Sequence, residues 1–409
     1  MAVLLTLLVA ATLWYVHMLN RQIPGQRSGL LPRWIGTRAA LQGHDPYSPE
    51  VLRQIQTAFY GHPLHPADRM NPEAFFYPAP LVLLLAPLAP LSWEGARLAF
   101  LWTVGPLLAL SFWLCIRTLR IRVGTAAQMA LLALAFFSWP SIWGLRLLQL
   151  TAPVAALIFI SWFLIARGRQ VVPGVLLALI TIKPQLVLPV LVWLFLWSLL
   201  RQRWKLIGAF AATEALLLSA TQLVVPGWFG HWLASLHNYT GVTQTAIPLE
   251  HLLGHWLGLA LTLILAGSCA AILWKLRRAN ADSPEFGHAM SLILATTVCL
   301  VPTNPPLIYN YVLLVPGCLV LAFPPHDGVV ASVMRVLALA QLGLDCAAIT
   351  LAALADILGH PVAVLSLLPF LDYLLPPLVA GALLVRLMLP LGAAQSSPAE
   401  VIAQATVAA

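Results

Sequence analysis

Few side chains in this sequence could do chemistry, and most stand in or beside apolar runs. Lys183 precedes Pro184 in the middle of the run 171–200, and Arg97 and Arg146 lie near the ends of two others. An ionisable group at membrane depth is costly and usually functional. Three cations at the outer ends of their spans would suit an anionic ligand such as a lipid phosphate. For Arg97 and Arg146 the alternative is that they snorkel to the interface. Glu214 falls mid-span and suits pairing with a neighbouring helix, as does Asp345, and Asp372 is a further acid in an apolar run. Two carboxylates, Asp45 and Glu50, lie in the stretch Gly43-His44-Asp45-Pro46-Tyr47-Ser48-Pro49-Glu50. A polar, aromatic turn, Thr303-Asn304-Pro305-Pro306, leads to Tyr309-Asn310-Tyr311. His251 and His255 are four apart, so on one helix they would share a face and could pair on a metal. No third ligand accompanies them and the pattern is not HExxH, so no metal site is expected. Cys115, Cys269, Cys299, Cys318 and Cys346 all sit in apolar runs and read as small buried hydrophobes. Phosphate-cradling glycine loops, Ser-His-Asp arrangements and nucleic-acid motifs are absent.

The elements that must position these residues are membrane helices. The chain has 409 residues, 60% of them apolar and 9% charged. Its mean hydropathy is +0.88. Soluble domains carry about 25% charged residues. This composition excludes a cytosolic enzyme, a disordered chain and a disulfide scaffold. A span needs about 20 apolar residues, and the runs read as an all-α polytopic protein of about 12 spans. The run Ala2–Leu19 has no basic flank or small-residue cleavage site and reads as an uncleaved first span rather than a signal peptide.

Net charge is +8, and its distribution sets topology. Short basic loops at 117–122, 167–169, 201–205 and 275–278 hold half of the 22 Lys and Arg. Such loops stay cytoplasmic. The runs 125–145 and 150–166 then make one trip out and back. Only short helices fit between Arg169 and Arg201, so 171–182 and 186–200 form a hairpin broken at Lys183-Pro184, because proline cannot continue the helical ladder. Spans near 206–225 and 249–274 flank a polar loop at 226–248, and four more runs follow, at 286–302, 307–323, 329–352 and 370–391. Both termini are expected in the cytoplasm, with 393–409 a tail. The whole chain reads as a single transmembrane domain.

Residues 20–78 form a long extracytoplasmic loop. It carries six arginines, Arg21, Arg27, Arg33, Arg38, Arg53 and Arg69, against the charge rule, which long loops escape. Amphipathic stretches at 34–41 and 51–60 mix aromatic and basic residues and suit interfacial helices. The run 79–91 is short and holds Pro80, Pro87 and Pro90, so it reads as a re-entrant or interfacial helix.

In order along the chain stand Gly43-x-Asp45-Pro46-Tyr47, then Phe76-Tyr77-Pro78-Ala79-Pro80, then Arg146-x-x-Gln149, then Pro173–Pro184 ahead of the Arg201–Lys205 loop. This order resembles bacterial integral-membrane glycosyltransferases of the GT-C superfamily, in particular glycosyltransferase family 87. The resemblance spans most of residues 1–320. It implies a GT-C-like fold and transfer of a hexose, mannose by association, from a polyprenyl-phosphate donor to a lipid or glycan acceptor on the extracytoplasmic side. It implies no cofactor and no nucleic-acid partner. Lys183, Arg146 and Arg97 would hold the donor phosphate. Tyr47, Tyr77, Gln149, Asn304, Tyr309 and Asn310 would line the substrate cavity. The resemblance also implies an aspartate base in the first outer loop, ahead of the Trp34-x-Gly36-x-Arg38 stretch, where this sequence has Gly29. Asp45, or Glu50 after it, takes the role, or the chain is a non-catalytic relative that binds polyprenyl-phosphate or glycan. A transporter is the third reading, but the broken hairpin has no matching second half.

Overall fold

The computed structural model describes residues 28–65, 68, 72–242, 246–303, 307–323, 332–343 and 369–388. The expected first span, part of the run 329–352, the tail 393–409 and the residues Asn304, Asp345 and Cys346 lie outside these residues. Among the described residues the fold is helical throughout and has no strand. A single antiparallel bridge joins Ala246 to Thr303.

Two short helices, α1 (Leu30–Leu41) and α2 (Pro49–Tyr60), form the outer layer. Helix α1 stops because Gly43 takes the left-handed conformation, φ +83°, at its C-terminal end. Helix α2 starts at Ser48, whose hydroxyl accepts from the Val51 N–H, and ends at Gly61 with φ +84°. Then comes α3 (Pro80–Leu85), continued by a 3-10 turn at Ala86–Leu88. Nine such residues rise about 14 Å at helical pitch, half of a bilayer core of about 30 Å. Helix α3 packs beneath α1.

The bundle follows: α4 (Trp93–Thr118), α5 (Thr125–Phe136), α6 (Trp139–Arg146), α7 (Thr151–Ala166), α8 (Val171–Leu179), α9 (Pro184–Leu200) and α10 (Trp204–Val224). Next are α11 (Trp228–Val242), α12 (Pro248–Leu253), α13 (His255–Leu276), α14 (Pro284–Leu300) and α15 (Val315–Ala322). The described chain ends with α16 (Ser332–Gly343) and α17 (Pro369–Met388). Helices α4, α10 and α13 are long and apolar enough to cross a membrane, and α5 with α6 would make a fourth span, bent by 48°. Most other apolar helices are shorter because proline and glycine punctuate them. Exposed side chains such as Leu223 (85%) and Trp256 (80%) leave apolar faces on α10 and α13, as a lipid-facing surface requires.

Three expected elements take a different form. The run 125–145 breaks at Ser138, just before Pro140 in the first turn of α6. The run 249–274 breaks at Gly254, φ +81°, so His251 and His255 stand on two helices rather than one face. The polar loop expected at 226–248 is largely helix α11. It follows the Pro226-Gly227 turn and is anchored by the tilted pair Trp228–Trp232.

The bundle has two chemically distinct ends. Arg120 pairs with Asp282 at 3.2 Å, Trp197 donates to the Ala279 carbonyl at 2.9 Å, and Arg201 donates to Asn280. The loops at 117–122, 201–205 and 275–278 therefore meet at one end. Leu119 and Trp162 both lie against Gly287, so the C-terminus of α7 points to that end too. Thr151, at the other terminus of this 16-residue helix, is about 24 Å away. The candidate site is built there.

Candidate active site

Two buried cations form its floor. Between α8 and α9 the chain makes a 3-10 turn, Ile180–Ile182, and then Lys183 leaves the helical region with φ −126° and ψ 65°. The cause is local: Pro184 disfavours helix at the residue before it and itself opens α9. Lys183 is 3% exposed. Its ammonium donates to the Thr151 hydroxyl and to Asn310 Oδ1 at 3.3 Å, and lies 5.1 Å from the Tyr309 ring centroid. Thr151 in turn donates to Asn310 Oδ1 at 2.9 Å.

The second cation is Arg33 of α1, 8% exposed and close enough to act on the Lys183 charge. Its guanidinium donates to the Gly29 carbonyl, to the Tyr77 hydroxyl at 2.7 Å and to Gln149 Oε1 at 3.4 Å, and lies 4.3 Å from the Tyr77 ring centroid. Among the described residues neither cation pairs with a carboxylate.

A tight turn holds α1 against the bundle. Between α6 and α7, Leu148 is fully buried with φ +52°, an uncommon state for a branched side chain. The turn aims the Leu147 carbonyl at the Gly29 N–H, 2.7 Å away, and the Gln149 amide at Arg33. A Cβ at Gly29 would meet the Gln149 amide and the Arg33 guanidinium. The position at which the resemblance expects a base therefore faces the centre of the cationic cluster.

The Gly43-x-Asp45-Pro46-Tyr47 motif builds the adjoining wall. Asp45 Oδ1 accepts from the Tyr47 N–H at 3.0 Å, an Asx turn that Pro46 fixes. Tyr47 then donates its hydroxyl to the Tyr77 carbonyl at 2.6 Å. Burial and the neighbouring Asp45 carboxylate hold this phenol well above its usual range, so it stays a neutral donor. Tyr77 is thus gripped twice, by Tyr47 at its backbone and by Arg33 at its ring. Asp45 does not cap α2; Ser48 does. The second carboxylate oxygen, Asp45 Oδ2, lies 3.0 Å from His231 Nδ1 on α11. Both line an open cavity of about 390 Å³ with Tyr47, Phe75, Phe76 and Ser235. Glu50 is exposed in the first turn of α2.

The other expected residues fall elsewhere. Arg97 is buried but held by Glu94 at 2.8 Å, next to α1 rather than on Lys183. Arg146 lies over the Trp143 ring at the end of α6. The cation that acts on Lys183 is Arg33. His251 contacts the Thr303 carbonyl and His255 pairs with Glu250 at 2.7 Å, and no metal-binding group of three occurs among the described residues. Reading the sequence alone missed Arg33, Thr151 and His231. Arg33 carried a signal, an arginine where the charge rule disfavours one. His231 carried none, since its helix reads as a loop.

The family model of glycosyltransferase family 87 matches residues 75–303, more than half of the chain. The chain belongs to glycosyltransferase family 87. Tyr77, Gln149, Thr151, Lys183 and His231 of this family 87 protein fall within the match, whereas Arg33, Asp45 and Asn310 are supplied from outside it. No curated protein and no solved structure matches the chain. Family and apolar helices together make it a membrane glycosyltransferase, with a sugar donor and an acceptor as substrates.

Proposed function

We propose that this family 87 protein transfers a hexose, mannose as the resemblance implies, from a polyprenyl-phosphate donor to a lipid or glycan acceptor at the extracytoplasmic face. One observation carries the reading. Two buried cations, Lys183 and Arg33, are close enough to act on each other and, among the described residues, neither pairs with a carboxylate; they lie at the end of the bundle away from the basic loops. A buried charge without a counter-ion is strongly disfavoured. A phosphate within 4 Å of one cation gains about 4 kcal/mol at an effective dielectric of 20. The same cations would offset the charge that grows on the phosphate as the sugar leaves. Tyr77, Gln149, Tyr309 and Asn310 would then surround the donor, and the acceptor would enter beside Tyr47. Of the two carboxylates considered as the base, Asp45 lines the cavity beside Tyr47 and Glu50 does not.

The second reading, a donor-binding relative without transfer, is favoured by Gly29, which leaves the cluster without an acid of its own. Incubation of purified protein with radiolabelled polyprenyl-phosphate hexoses and membrane extract separates the two. Labelled product supports transfer. Donor binding without product supports the relative.

A further inference from the structure

We propose that His231 is the general base for a hydroxyl-bearing acceptor seated in the 390 Å³ cavity, and that Asp45 is its positioning residue. This rests on the transfer reading above.

The geometry starts from the carboxylate. An ionised Asp only accepts hydrogen bonds, so the His231 nitrogen 3.0 Å from Asp45 Oδ2, Nδ1, must carry the proton. The neutral ring then has its lone pair on Nε2. Asp45 is itself fixed, because its other oxygen accepts from the Tyr47 N–H at 3.0 Å. The imidazole is half exposed and lines the cavity, with the Nε2 edge beside Gly227 at the start of α11. Asp45 alone is badly placed to be the base, since both its oxygens are engaged.

The cavity suits a sugar or another polyol. Phe75, Phe76 and Tyr47 supply apolar faces, and Ser235, one turn along α11 from His231, supplies a hydroxyl. The Tyr47 side of the cavity is linked to the cation pair by two hydrogen bonds, the Tyr47 hydroxyl on the Tyr77 carbonyl and Arg33 on the Tyr77 hydroxyl. Trp232 pins α11 to this wall by donating to the Phe76 carbonyl at 3.1 Å.

The step balances without a cofactor. The acceptor hydroxyl gives its proton to His231 Nε2 as its oxygen bonds to the anomeric carbon of the donor sugar. The bond from that carbon to the phosphate oxygen breaks, and its electron pair leaves with the polyprenyl phosphate. The imidazolium is held by the Asp45 carboxylate until it releases the proton to water.

The test uses the purified full chain with radiolabelled polyprenyl-phosphate hexose and membrane extract. His231→Gln should slow turnover by roughly 10²–10⁴-fold, with donor binding unchanged. His231→Ala should regain turnover when imidazole is added. Asp45→Asn should slow turnover in the natural background and add little in the His231→Ala background. Circular dichroism and gel filtration confirm that each variant folds. Wild-type turnover in His231→Gln, or a His231→Ala that ignores imidazole, overturns the assignment while leaving the transfer reading intact. A natural chain that binds donor and transfers nothing overturns both.

Discussion

Replacing Lys183 with methionine should weaken donor binding without weakening the fold. The ammonium is 3% exposed and, among the described residues, its partners are neutral: Thr151, Asn310 and the Tyr309 ring. Thr151 already donates to Asn310 at 2.9 Å, so both stay partnered when the ammonium goes. Methionine fills nearly the same volume, and swapping a buried ionic group for an apolar one of similar size is often neutral or stabilising. The melting temperature of the ligand-free protein should therefore hold or rise. The donor, by contrast, loses a charge-assisted hydrogen bond, about 1.5–3 kcal/mol. That corresponds to roughly a 10- to 150-fold higher Kd. The assay is filter binding of labelled polyprenyl phosphate to solubilised protein, with thermal unfolding alongside. A Lys183→Met protein that melts several degrees lower yet binds donor like the natural chain would show that the lysine serves the fold and not the donor.

Other substitutions separate site from scaffold. Gly29→Ala should displace the Gln149 amide and Arg33, weaken donor binding and destabilise by about 1–3 kcal/mol, read by binding and melting together. Gly29→Asp should set a carboxylate against Arg33 and compete with the donor phosphate; turnover seen only in that variant would mark the natural chain as a lapsed enzyme. Ser48→Ala removes the cap of α2 and should cost about 0.5–2 kcal/mol of stability, read by thermal unfolding. Single cysteines placed in 201–205 should resist an impermeant reagent in intact cells, and reaction there would invert the proposed sidedness.

The helical membrane class was legible because composition alone decides it, and the break at Lys183 because proline disfavours helix at the residue before it and opens the next helix. The gathering of the loops at 117–122, 201–205 and 275–278 followed from charge placement. The cluster around Lys183 was only half legible. Arg97 lies near the end of a run and reads as a free cation, but Glu94 three residues earlier claims it. Arg33 was hidden because its partners, Tyr77 and Gln149, come 44 and 116 residues later. His231 was hidden because a helix of mixed polar and aromatic residues has no clear period, and its partners are distant in sequence: Trp232 donates to the Phe76 carbonyl and His231 meets Asp45. Side chains that meet through turns of unusual backbone, as at Leu148, leave no local pattern to read.

Transfer of radiolabelled hexose from polyprenyl phosphate by the purified protein, measured for the natural chain beside Lys183→Met, tests the central claim most directly. Labelled product is expected from the natural chain, with a loss of product in Lys183→Met that tracks its loss of donor binding. Equal product from both proteins at limiting donor, or a natural chain that neither binds the donor nor transfers from it, would contradict it.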